Sequence, residues 1–222
     1  MNIYIIFSYF LSFIFYSFLG WGMEILLTLC RNKRFVDRGF LLGPYCPIYG
    51  FGCLLIIFLL KRYTDNVLVL FILAMVICLS LEYLTSLIME LIFKARWWDY
   101  SNKKYNINGR ICLEYGLFFG IAGSLIMYVV HPFILGGISK LSDSLLLIVG
   151  ITVLVLFLID FIVSFVVVSN INNFEFKKYK DSTEDISLMV KEYLMKRSKF
   201  TKRLVKAFPD ANMGFKKLRN KK

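Results

Sequence analysis

The sequence holds a single histidine, only four prolines and five cysteines that never form a CxxC pair. No Cys/His cluster has metal-ligand spacing, so a structural zinc site is set aside. Cys30, Cys46, Cys53, Cys78 and Cys112 all fall within or beside apolar runs and read as small packing residues rather than a disulfide framework. No metal and no cofactor is expected. A G-x-x-x-x-G-K-[ST] loop is also missing, which excludes an ATPase in this chain. Nor is there the nucleophile or phosphate-binding motif that a membrane hydrolase or transferase would show. The expectation is therefore not an enzyme.

What the chain has in abundance is apolar sequence. Hydrophobic residues make up 58% of 222, and the mean hydropathy is +0.66. Several runs exceed the ~20 residues needed to cross a bilayer. Five spans are predicted, over 3–29, 40–60, 67–93, 111–135 and 145–168. The first lacks a basic leading region and a small-x-small cleavage site, so it reads as a span and not a cleavable signal. The fold class expected is all-α, a polytopic membrane helix bundle of five transmembrane helices over 1–169, followed by a basic tail over 170–222.

Charge sets the expected orientation. Of 27 Lys and Arg, all but Lys61, Arg62 and Lys140 fall after the first, third and fifth spans. The positive-inside rule then places the N-terminus outside and the C-terminus in the cytoplasm. Thus the net charge of +12 marks topology and a basic tail, and no nucleic-acid partner is implied. Within the tail, apolar positions from Ile186 to Phe208 recur near helical spacing among lysines, which predicts an amphipathic helix at about 183–208. Such a helix lies most simply on the anionic inner leaflet.

Acids inside the apolar runs carry more information. Glu24, Glu82, Glu114 and Asp160 sit in four different predicted spans, with Glu90 near the end of the third. An intramembrane carboxylate costs at least ~2.5–3.5 kcal/mol, so each needs a partner or a function. By helical rise they lie roughly 5–17 Å from the cytoplasmic edge. One polar cavity in the inner leaflet would collect them, with Arg38 and Arg110 as counter-charges and Tyr45, Tyr49 and Tyr83 as donors. The alternative is a structural network that holds the bundle together.

The remaining span supplies Arg38-Gly-Phe-Leu-Leu-Gly-Pro-Tyr-Cys-Pro-Ile-Tyr-Gly-Phe-Gly52. Pro44 and Pro47 remove backbone donors, so the helix is expected to break or kink between Gly43 and Gly52. Broken backbone at membrane depth survives only where protein or a water-lined cavity satisfies it. Gly116, Gly120, Gly123 and Ser124 form a small-residue face suited to close helix contact. In the loop that follows the third span, Trp98, Asp99, Tyr100 and Asn106 form a structural element. Asp99 can close an Asx turn and Asn108-Gly109 a second turn. This loop reads as an interfacial anchor or as a lid over the inner mouth.

These motifs converge on a resemblance. Gly20-Trp-x-x-Glu24, the Gly43-Pro-Tyr-Cys-Pro-Ile-Tyr-Gly50 core, Glu82-Tyr83, Trp98-Asp99-Tyr100-Ser101 and Asn106-Ile-Asn-Gly-Arg110 resemble the bacterial Putative ABC-transporter type IV family of CmpB-like permeases, over roughly residues 10–165. The resemblance implies a multi-pass permease-like protein of the plasma membrane with no assigned substrate. It carries over no catalytic residues. Transport driven by ATP would need a separate ATPase subunit, and five spans imply an oligomer. A regulatory or scaffold subunit is the alternative, and an intramembrane enzyme acting on a lipid-linked substrate stands third.

The orientation is testable by single-cysteine labelling in a cysteine-free background. An impermeant thiol reagent added to intact cells is expected not to reach positions 103 or 200. Labelling at either site would reverse the assignment.

Overall fold

Hydrophobic length and the positions of proline together explain the helices. The computed structural model of the chain describes residues 3–33, 41–93, 95–175 and 212–213. Arg38 and the expected tail helix at 183–208 lie outside the described residues. Six helices follow in order: α1 (Ile3–Asn32), α2 (Pro47–Leu60), α3 (Val67–Phe93), α4 (Leu113–Leu125), α5 (His131–Ile138) and α6 (Asp143–Glu175). Among the described residues four stretches are long and apolar enough to cross a membrane, namely Ile3–Leu27, Val67–Ile92, Leu113–Ile138 and Asp143–Val166.

The second expected span differs. Residues 41–46 are not helical, and α2 begins only at Pro47 and has 14 residues. At 1.5 Å per residue it is about 21 Å long, short of a ~30 Å hydrocarbon core. The cause is local. A residue before proline is pushed out of the helical region, and Cys46 is extended at φ −115° and ψ 98°. Proline at the first helical position loses nothing, since that N–H has no helical partner anyway. Pro47 therefore starts a helix rather than kinking one.

Pro132 acts differently inside the third long stretch, Leu113–Ile138. It offers no N–H to the helix, and the backbone just before it widens to a π-turn over Ile126–Val130, where His131 N–H reaches back to Ile126 O. The helix then continues as α5. Next to this turn, the hydroxyl of fully buried Tyr16 lies 2.7 Å from His131 Nδ1 and ties α1 to α5.

α1 packs against α2 and α6, and α3 packs against α4 and α2. Ile56 and Leu60 of α2 meet Leu70 and Ala74 of α3 and Met127 in one core cluster. Tyr16, Ile57 and Ile134 form another. The glycine face of α4 is what lets α3 approach. A methyl group on Gly116 would lie 2.8 Å from Leu79 Cδ1, and one on Gly120 2.6 Å from Phe71 Cε2. On Gly123 it would lie 2.6 Å from Ala74 Cβ. Large apolar residues such as Ile148, Ile151, Leu156 and Ile162 of α6 point outward, which suits lipid as the surrounding solvent.

Strand content is slight. β1 (Ala95–Arg96) pairs with β4 (Asn212–Met213), and β2 (Asn106–Ile107) pairs with β3 (Ile111–Cys112). Asn108 and Gly109, with φ of 53° and 66°, lie in the three-residue turn that joins β2 to β3, where Arg110 N donates to Ile107 O at 3.0 Å.

Packing at the α3–α4 contact predicts a clear asymmetry among glycines. Gly120→Leu or Gly123→Leu should destabilise the protein by about 1–3 kcal/mol through overpacking. Gly136→Ala, where no atom lies within 4 Å of the new methyl, should be close to neutral. Thermal unfolding midpoints in detergent would separate the two outcomes.

Candidate functional site

The non-helical segment at 41–46 is where the acids of the bundle are put to use. Each of its amide donors from Leu42 to Cys46 has an acceptor. Leu42 N donates to Asp160 Oδ1 at 2.9 Å and Gly43 N to Asp160 Oδ2 at 2.7 Å. Pro44 has no donor. Tyr45 N donates to Gly43 O at 2.9 Å, and Cys46 N donates to Ser17 O of α1 at 2.9 Å. Two further donors complete Asp160, the Tyr45 hydroxyl at 2.6 Å and the Ser164 hydroxyl at 2.9 Å. A helix of the bundle thus supplies the acceptors that the broken segment would otherwise seek in water. The Gly43 carbonyl turns inward to its own Tyr45 amide and needs no side chain from α1 or α3.

Four residues on, Tyr49 donates its hydroxyl to Glu24 Oε1 of α1. Gly20 makes room for that ring: a methyl there would collide with Tyr49. Glu24 acts electrostatically on Glu82 of α3, so the two carboxylates share one region. Glu82 is buried to 7% exposure, and its Oε1 accepts a 3.1 Å hydrogen bond from the Tyr100 hydroxyl. Its Oε2 has no hydrogen-bond partner among the described residues.

Tyr100 comes from the loop between α3 and α4, where burial and then the charge of Glu82 push its phenol far above the ordinary value. It remains a protonated donor. Its ring stacks on Tyr115 of α4 with centroids 4.7 Å apart. Around it the loop is closely hydrogen-bonded. Tyr100 N donates to Gly109 O at 2.7 Å, Trp98 Nε1 to Arg110 O at 3.0 Å, and the Asn106 amide to Lys103 O at 2.8 Å. Asp99 closes its Asx turn through Ser101 N at 2.9 Å.

Arg110 straps this loop down. Its guanidinium donates to Ser86 Oγ at 2.9 Å and to Glu90 Oε2 at 2.6 Å, both on α3, and its carbon lies 5.7 Å from the Tyr83 ring centre. Asn108 donates to the Tyr83 hydroxyl at 2.9 Å. The polar side of α3, from Glu82 through Ser86 to Glu90, is thereby covered residue by residue.

The candidate residues thus fall into three groups. Glu24, Tyr49, Glu82 and Tyr100 come together. Tyr45 and Asp160 form a separate clamp on 42–45. Glu114 stands apart at the start of α4, paired with Lys103 at 2.7 Å on an exposed face. Tyr83 accepts from the loop instead of donating to a carboxylate. A groove of about 580 Å³ lies elsewhere, between α1 and α5, and is lined by apolar side chains such as Phe15, Phe18 and Phe133 with Tyr45 at its polar corner. Its chemistry is that of lipid contact, whereas the titratable cluster is at α1, α2, α3 and the loop.

Sequence reasoning passed over three partners. The Ser17 carbonyl is a backbone group with no signature. Ser164 follows Asp160 by one helical turn, a spacing that could have marked it. Ser86 lies between Glu82 and Glu90 along α3, but its bond to Arg110 needed the loop to fold back.

The family model described as Putative ABC-transporter type IV matches residues 11–165. No curated protein and no solved structure matches the chain.

The clamp can be tested directly. Asp160→Ala should cost at least ~1.5–3 kcal/mol, because it strips a charged acceptor from several donors at once. Cys46, only 7% exposed, should then react with alkylating reagents much faster than in the parent protein. Asp160→Asn should fall between, since the amide keeps one acceptor oxygen.

Proposed function

The chain belongs to the Putative ABC-transporter type IV family, and from that premise we propose that it is the membrane component of a bacterial transport system. It is a multi-pass protein of the plasma membrane in this reading, and not an enzyme. Counting α2 with its extended lead-in as one passage gives five spans. With the N-terminus outside and the C-terminus in the cytoplasm, the basic loops and tail face inward. Glu24, Tyr49 and Glu82 then lie toward the cytoplasm as the substrate-facing cluster. Asp160 and Tyr45 shape the backbone beside it. Glu114 and Tyr83 belong to its rim.

The observation that carries this reading is the buried Glu82 beneath an ordered loop, with half-buried Glu24 within electrostatic reach, where Glu82 keeps one oxygen without a donor. A purely structural carboxylate would be expected to have both oxygens satisfied. Energy would come from an ATPase on a separate subunit docked to the inward loops, because the chain has no nucleotide-binding motif. Further membrane subunits, identical or not, would complete the path.

A regulatory or scaffold subunit is the second reading. It is favoured by the fact that Asp160 and Glu90 spend their charge on backbone amides and Arg110.

Metabolite profiles of cells and medium, compared between strains lacking and overproducing the protein, provide the test. The expected result is a solute whose distribution follows the wild-type protein and not Glu24→Gln or Glu82→Gln at equal membrane abundance. Identical profiles for all strains would favour the scaffold.

A further inference from the structure

Glu82 presents an unmet acceptor in a place that water does not reach. The residue is 7% exposed, Oε1 has one donor at 3.1 Å, and Oε2 has none among the described residues. An acceptor left so is costly, and a ligand that brings a charged donor satisfies it more strongly than a neutral one. Two cations of the loop are already engaged. Arg110 is held by Ser86 and Glu90, and Lys103 by Glu114.

Tyr100 is the side chain in the way. It arrives from the loop, lies between Glu82 on α3 and Tyr115 on α4, and bonds to the carboxylate through one long hydrogen bond. If the loop lifts, a ring-sized space opens with a carboxylate at one end and the Tyr115 face along one wall. Glu24 adds a second negative charge within electrostatic reach of both Glu82 and Tyr100. Carboxylate plus aromatic face is the chemistry that recognises an ammonium group. No three His, Cys, Asp or Glu side chains among the described residues group to hold a metal ion, which favours an organic cation over a metal.

We propose that Glu82 is the binding site for a small organic ammonium ion, and that Tyr100 fills the ion's place while the loop between α3 and α4 is down. The proposal deepens, and rests on, the reading of this cluster as substrate-facing.

Thermal unfolding of the purified full-length protein in detergent, titrated with propylammonium chloride or sodium chloride at matched ionic strength, tests it. Propylammonium should raise the midpoint saturably and sodium should not. Glu82→Gln should abolish the rise. Tyr100→Phe keeps the ring but removes the competing donor, and should lower the half-saturating concentration about tenfold. A rise of equal size with sodium, or one that survives in Glu82→Gln, overturns the site. Should Glu82→Gln fail to fold, an unchanged half-saturating concentration in Tyr100→Phe overturns it instead. Failure here leaves a solute difference between the strains intact, whereas failure of the transport reading removes that difference whatever propylammonium does.

Discussion

The structure depends on the carboxylate of Asp160. Without it the amides of Leu42 and Gly43 and the hydroxyl of Tyr45 would lose the acceptor they share. In water such donors find solvent, but in a bilayer each unsatisfied backbone group costs several kcal/mol. The two prolines of the segment reduce the demand further, because Pro44 and Pro47 have no N–H to satisfy. A broken stretch of chain is therefore admitted between α1 and α6 with its donors accounted for. Cys46 completes the set through the Ser17 carbonyl, and Ser17 turns its own hydroxyl back to Phe13 O at 2.8 Å.

That clamp fixes the depth and rotation at which α2 begins, and α2 in turn places Tyr49 against Gly20 and Glu24. Gly50 then packs on Phe13 and Ser17, which draws α2 tightly onto α1. α3 follows because Ile56 and Leu60 share a core with Leu70 and Ala74, and α4 follows because its glycines admit the α3 side chains. Glu82 comes to face Tyr100 at the end of this sequence of contacts. Its position is a consequence of helix packing, while its covering by Tyr100 is a consequence of the loop. The loop itself is held to α3 through Arg110 and Asn108.

Much of this was legible in the sequence. Hydropathy gives the four long helices, since nothing but length and apolarity is needed to find them. The Gly/Pro tract announces a break, and the Asn-Gly and Asp-x-Ser turns of the loop form as their chemistry requires. The division of the acids was not legible. Depth alone puts Glu24, Glu82, Glu114 and Asp160 in one layer, but depth does not give azimuth, and around a bundle azimuth decides which carboxylates meet. Asp160 turns to the lead-in and Glu114 to Lys103, so the four do not form a single set. The extent of the break also escaped the sequence reading. Proline removes one donor wherever it sits, and whether the result is a kink or a fresh helix start depends on whether other groups receive the preceding amides.

The acids of this bundle thus show two ways of carrying a carboxylate through an apolar phase. Asp160 is saturated by four donors and is worth its insertion cost in the backbone it organises. Glu82 is left half-met, with Tyr100 as its donor and a second acid nearby. A carboxylate kept for architecture gains from every added donor, because each one lowers the energy of a single arrangement. A carboxylate kept for exchange gains from having few, because a ligand must displace whatever is there. One donor on a loop comes nearer to that condition than four donors from one helix and a pinned backbone.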